Sequence, residues 1–334
     1  MMKRSTMVIL LALAVILIAA GLVIEAVPGM SQGAYETLFS DSDGAVTTIR
    51  ADLRDTAMRV YVNRNSDTLE VDGSGRAASL VVTDAEGGAL RLTETEPSGI
   101  AKLFGTRQED YVVVWLPRDY AGALTLSLEN GELGLSGLDL PGAGVSLTAE
   151  NGEVSVYDCR LGALDVKTGS GGAWIGDTDV SGSDVTITAG SGRVSVSDAE
   201  MDALTMYLGS GGAWTDSLRA GSVKILAGSG EVSLGSGEVG ELLLETGSGG
   251  IYIDRMRTET MTLTSGSGDI YVSSGEAGAV AVTTGSGDIA FDRLKTDRAD
   301  LFTRSGDIRG TLTGLNGEPS VETSTDSGDV SLEW

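Results

Sequence analysis

From Ala121 to the carboxyl end, apolar residues fall in pairs that skip one position, and the pairs return at a nearly constant interval. The second glycine of each SGD-like or NGE-like turn anchors the pattern: Gly131, Gly152, Gly171, Gly192, Gly211, Gly230, Gly249, Gly268, Gly287, Gly306 and Gly328, spaced 19 to 22 residues apart. Ahead of the anchors come Leu124 and Leu126, Val185 and Ile187, Leu242 and Leu244, Val280 and Val282; behind them come Leu133 and Leu135, Val194 and Val196, Ile251 and Ile253, Ile270 and Val272. Skipping one residue puts both side chains on the same face of a strand. Each repeat therefore predicts two short inward-facing strands joined at a glycine corner.

A repeat of 19 residues is too short for a βαβ unit and too long for one hairpin, but it suits one winding of a solenoid. The fold class expected is all-β: a right-handed parallel β-solenoid of about eleven coils of 19–22 residues, with an amino-terminal transmembrane helix and a β-rich cap. The corner glycines, among them Gly192, Gly211, Gly230, Gly249, Gly268, Gly287 and Gly306, are expected to supply positive φ, with the neighbouring serine or aspartate bonding local backbone. Residues 41–120 are irregular but strand-like (MRVYVNR, TLEVDG, SLVVTD, ALRLTE, YVVVWLP), and they predict β-structure covering the first edge of the repeat domain 121–334.

The amino end changes the picture. Lys3 and Arg4 precede an uncharged run from Met7 to Ile24, and Glu25 follows. The run approaches the ~20 residues of a membrane-crossing helix, and basic residues ahead of it keep the amino end in the cytoplasm. Segment 1–27 reads as a signal anchor and 28–40 as a linker, which makes the chain a single-pass membrane protein with an extracytoplasmic carboxyl domain. Cleavage after Ala26 as a signal peptide is the rival.

The 334 residues carry a net charge of -25 and no histidine. Like charge opposes nucleic acid and anionic membrane surfaces, so no nucleic-acid partner is expected. The missing histidine also removes the commonest general base and metal ligand. Cys159 is alone, which excludes an intrachain disulfide and suits a small apolar filler. A literal GxGxxG at Gly235–Gly240 is followed by a strand and another corner rather than a helix, so it does not read as a dinucleotide site.

The run YVVVWLPRDYAGALTLSLENGELGLSGL, followed by copies of TGSGDI, resembles the putative-adhesin β-strand-repeat family of bacterial envelope proteins. The likeness covers roughly residues 40 to 334. It implies a repeated β-fold, often membrane-tethered, in proteins of the cell surface or its stress responses, and it supplies no catalytic residues. The Gly-Gly-Ala-Trp copies at 171–174 and 211–214 depart from the common form.

Two columns carry candidate chemistry. Asp269, Asp288 and Asp307 share one offset in consecutive coils, with Asp329 beyond; at about 5 Å apart their charges repel unless bridged. Calcium is the one cofactor considered; the alternative is that each aspartate caps its own turn. At the next outward offset stand Trp174, Ser195, Trp214, Ser233, Tyr252 and Tyr271, a row of aromatics suited to a glycan, a peptide or another envelope protein. The alternative is that each tryptophan covers the serine of the next coil. Trp334 continues the last alternation and is a candidate lid.

The function expected is a non-enzymatic, membrane-anchored adhesin-like binding or envelope-stress sensing module. A structural spacer of the envelope is the alternative, and a carbohydrate-active β-helix enzyme comes after it, because Arg193, Arg304 and Arg309 are the only basic residues near the turn columns.

Overall fold

The computed structural model describes residues 35–75, 77–95 and 111–334. The expected membrane helix lies outside the described residues, among which no helix is long and apolar enough to cross a membrane. The chain enters the fold earlier than the expected linker allows: β1 (Glu36–Asp41) is already a strand. There follow β2 (Thr48–Leu53), β3 (Ala57–Asn63), β4 (Leu69–Gly73), one helical turn α1 (Ala77–Leu80), β5 (Val81–Glu86), β6 (Ala89–Glu94) and β7 (Tyr111–Pro117). The repeats open with β8 (Ala123–Leu128), β9 (Glu132–Ser136), β10 (Asp139–Ala149), β11 (Glu153–Thr168) and β12 (Ala173–Ala189), and continue in the same manner to Glu333.

The repeats stack as a parallel β-solenoid of about eleven coils, in register along each wall, with the register slipping between walls where coil lengths differ, as at Arg160/Leu164 and Val180/Asp184. The first wall is formed by 124–128, 145–149, 164–168 and their successors. The second is formed by 133–136, 154–157, 173–176 and theirs. The paired apolar positions point inward as expected, with Leu126, Leu147, Val166, Ile187, Met206 and Ile225 at most 1% exposed. Burying each such side chain contributes about 1.5–3 kcal/mol.

A third wall was not expected. In β12 the strand bends after Gly176 and continues through 178–180, in line with 159–160 before it and 199–201 after it. From Cys159 onward its inward pairs carry at most one large apolar side chain each, set beside a small or hydroxylated one, as in Thr178 and Val180, Ala199 and Met201, Met256 and Thr258, and Leu294 and Thr296, all buried. Their hydroxyls are satisfied by nearby carbonyls: Thr178 Oγ1 donates to Gly176 O at 2.7 Å and Thr296 Oγ1 to Arg298 O at 2.9 Å. Burial pushes the Cys159 thiol up to about 12, in keeping with a packing role.

The segment 41–120 does more than cover an edge, because it is itself wound into the solenoid. β2 pairs in parallel with β8, and β3 with β9. On the opposite side β6 pairs with β2 and β7 with β3, also in parallel. The chain thus starts one coil in, builds the outermost coil with β6 and β7, and crosses back to β8. Antiparallel pairings close that end, with β5 on β6, β4 on β7 and β1 on β4.

The corner glycines are needed for a different reason from the one expected. From Gly152 onward the anchor glycines do not have left-handed φ. What forbids a side chain is the previous coil: a Cβ at Gly211 would lie 1.9 Å from Gly192 O, at Gly230 1.9 Å from Gly211 O, and at Gly306 1.9 Å from Gly287 O. Backbone rests on backbone at every step. Positive φ sits instead at the corner between the second and third walls, at Gly137, Asp158, Asp177, Asp198, Ser217, Arg255 and Arg293. Aspartate tolerates this region better than most residues.

In the later coils a buried hydroxyl staples each glycine corner. Thr284 Oγ1 donates to Gly268 O of the preceding coil at 3.0 Å and accepts the N–H of Gly287 at 3.3 Å. Ser265 and Thr303 repeat the arrangement.

Candidate functional site

The second wall carries the aromatic row. Strand register aligns Trp174 with Ser195, Ser195 with Trp214, Trp214 with Ser233, Ser233 with Tyr252, and Tyr252 with Tyr271. These residues stand one position from the inward pair on each side, so the pleat turns them outward. Trp214 and Tyr252 are 39% exposed and Tyr271 38%, whereas Ser195 is buried. The serine is thus covered in the manner of the bland alternative, while the rings themselves still face water.

Two rings are laid back along their own strands. The indole Nε1 of Trp174 lies 3.2 Å from the point a Cβ of Gly172 would occupy, and three atoms of Tyr252 lie 2.8 to 3.1 Å from that point at Gly250. The rings therefore occupy the space a side chain at 172 or 250 would need, whereas at Gly212 the Cβ position meets Glu231 O at 2.8 Å and not Trp214. Trp174 Nε1 also donates to Glu153 Oε1 in the coil before. Beside the row lie Glu231, Asp216 and Asp254, with Arg193 the cation in the glycine-flanking column.

The aspartate column is in register, and each carboxylate has a protein partner in the coil that follows. Asp269 Oδ1 accepts the N–H of Asp288 at 2.9 Å, Asp288 Oδ1 that of Asp307 at 3.0 Å, and Asp307 Oδ1 that of Asp329 at 2.9 Å. Arg309 Nη1 adds an ion pair to Asp288 Oδ2 at 3.0 Å. Each aspartate therefore caps the next coil's turn rather than its own. Among the described residues no group of three or more histidine, cysteine or acidic side chains is placed to hold a metal. Arg193 and Arg304 stay exposed at the corner columns. Trp334, expected as a lid, is 57% exposed and does not cover the last coil.

The third wall carries a feature that periodicity did not reveal. Its outward positions run Asp139, Arg160, Asp179, Glu200, Arg219, Glu238, Arg257, Glu276, Lys295 in register. Arg257 bridges Glu238 at 3.1 Å and Glu276 at 3.3 Å, and Lys295 meets Glu276 at 2.9 Å. The hydrogen bond from Lys295 holds the Glu276 carboxyl below its ordinary range, helped by Arg257. A groove of about 1000 Å³ follows this ladder and the adjoining corner. A carboxylate kept ionised by two cations does not serve as a general acid at neutral pH, and exposed pairs of this kind contribute little stability. The signal was present in the sequence as charge recurring at 19- to 21-residue intervals, but from Cys159 onward the inward positions beside it hold at most one large apolar side chain per coil, too weak a pattern to announce a wall.

The family described as Toastrack DUF4097 matches residues 48–236 and 215–334. The chain belongs to that family. The matched span runs from β2 to the last strand, so it takes in the out-of-order coils at the amino end as well as the repeats and leaves out β1. Similar solved structures include a putative cell adhesion protein from Clostridium sporogenes, with 15% identity, 67% of this chain and 99% of that chain covered, and a TM-score of 0.30. A putative adhesin from Parabacteroides merdae has 13% identity, 90% and 97% coverage, and a TM-score of 0.31. A putative lipid binding protein from Parabacteroides distasonis has 13% identity, 90% and 97% coverage, and a TM-score of 0.28. No curated protein matches this Toastrack chain.

Proposed function

We propose that this Toastrack protein is a non-enzymatic, adhesin-like binding module, held at the outer face of the cell membrane by the apolar segment 7–24. The observation that carries the reading is the row Trp174, Trp214, Tyr252 and Tyr271, in register on one wall with Trp174 half-buried and the other three exposed. Large aromatics concentrate binding energy at interfaces, and soluble surfaces rarely align them without use. The windings are taken as right-handed, the hand that parallel crossovers adopt almost always.

The test is capture of envelope components by the purified full chain, compared with a Trp174→Ala, Trp214→Ala variant. The captured component is identified by mass spectrometry and then rebound in purified form. Capture is expected to fall while circular dichroism stays the same; equal capture by both proteins would retire the reading.

A spacer of the cell envelope is the second reading, favoured by the continuous stacking of coil on coil. It makes distance from the membrane matter and the rings irrelevant, so deletion of two whole coils would impair it where the tryptophan variant would not. For Asp269, Asp288 and Asp307 we propose capping of the next coil, supported by their bonds to backbone N–H groups. Calorimetry with calcium and a chelator checks this: heat of binding and a calcium-dependent rise in melting temperature would assign the column to the cation instead.

A further inference from the structure

We infer that the aromatic row is a platform for one extended β-linked glycan chain of amino sugars, lying along the solenoid axis across successive coils. The inference rests on the binding reading above and names its ligand class. Three observations carry it.

The first is spacing. Trp174, Trp214 and Tyr252 occupy every second coil, with Ser195 and Ser233 between them. Two coil rises amount to about 9.6 Å. In an extended β-linked glycan the sugars alternate in orientation, so the same face returns every second residue at a similar distance. Each ring thus meets an equivalent sugar face, and the serines lie under the sugars between. The strands of this wall are bonded on both sides, which leaves no free backbone groups there for a peptide to add as a strand.

The second observation is the attitude of the rings. Trp174 and Tyr252 lie back over Gly172 and Gly250, so each ring is held against its own strand while Tyr252 keeps 39% of its surface open to solvent. A ring held in place in advance loses little freedom on binding. The Glu153 bond fixes the indole of Trp174 further.

The third is charge. Glu153, Glu231, Asp216 and Asp254 flank the row and outnumber the cations beside it, Arg193 in the glycine-flanking column and Arg255, which pairs with Asp254 at 3.1 Å. Carboxylates accept hydrogen bonds and repel anions. The platform therefore suits substituents that donate, such as acetamido N–H or ammonium groups, and rejects uronic or phosphorylated glycans.

The test is titration of the purified full chain with β-linked N-acetylglucosamine oligomers of two to six sugars. Their deacetylated forms, an α-linked glucan and a polyuronate complete the panel. Affinity is expected to climb with length until five or six sugars span Trp174 to Tyr271, and the deacetylated arm tells ammonium from acetamido recognition. Each tryptophan-to-alanine change is expected to cost about tenfold, and Trp214→Tyr to restore most of the loss. Absence of binding by both amino-sugar series, equal binding of the α-linked or anionic chains, or affinity indifferent to the tryptophans would overturn the inference. Should the oligomers fail while envelope capture still depends on Trp174 and Trp214, the binding face stands and its ligand is not a glycan.

Discussion

At Gly230 a single methyl group decides whether two coils can meet. A Cβ there would lie 1.9 Å from Gly211 O and 2.4 Å from its carbon, and both atoms belong to the backbone of the preceding coil rather than to a side chain that could swing aside. Gly230→Ala should cost about 3 kcal/mol or more, read as a large drop in melting temperature. Gly142→Ala serves as the control, since nothing lies within 4 Å of its Cβ position and stability should hardly move. Two threonines make a second contrast. Thr215 is fully buried with an unpartnered hydroxyl, so Thr215→Val should gain about 1 kcal/mol by removing an unsatisfied group. Thr284 bonds both neighbouring corners, and Thr284→Val should lose about 1–3 kcal/mol because the Gly287 N–H is left without its acceptor. Equal effects from the two substitutions would show that the staple does not hold the corner.

At the scale of an element, the corner between the second and third walls gathers like charge. Asp158, Asp177 and Asp198 stack in consecutive coils, all with left-handed φ. Desolvation, with Asp198 and Asp158 adding to it, raises the Asp177 carboxyl above its ordinary value. A carboxyl raised on folding favours the protonated native state, so the native state is penalised as pH climbs past the unfolded value. The penalty is absent in acid and complete once the folded value is passed. Asp177→Asn should therefore raise the melting temperature at neutral pH, with the gain vanishing below about pH 4. Asparagine also accepts the left-handed backbone at this position. A gain that persists unchanged into acid would mean that backbone preference, not charge, is responsible.

Over the whole molecule, each coil contacts only its neighbours, so stability is a sum of coil and interface contributions. The coils are not equally buried. In the strand Ile289–Thr303 every inward position is covered, whereas Ser320–Thr325 and Val330–Glu333 have no fully buried residue. Hydrogen exchange should accordingly show protection highest across 180–300 and falling steadily toward Trp334. Uniform protection from end to end would contradict a solenoid that opens coil by coil.

Much of this was legible along the chain because burial leaves a chemical record. Leu124 and Leu126, or Ile251 and Ile253, announce their walls by apolar character at period two, and a shared anchor sets the register that brings Trp174, Trp214, Tyr252 and Tyr271 into one row. The third wall left a fainter record, since from Cys159 onward its inward pairs set at most one large apolar side chain beside a small or hydroxylated one, as in Thr178 and Val180 or Met256 and Thr258, and the pair Gly275 and Ala277 has none. The order of the first coils was equally hidden, because nothing local to β6 or β7 says that they lie outside β2 and β3. Nor could the need for glycine be assigned to its cause: a column of glycines is compatible with positive φ or with close stacking, and only the 1.9 Å approach of Gly211 O to the missing Cβ of Gly230 tells them apart. Period, wall and column were determined by the sequence itself, because they depend on which side chains avoid water. Strand order and the fit of coil on coil were decided by the tertiary structure, because they depend on distances between backbones that are neighbours only in space.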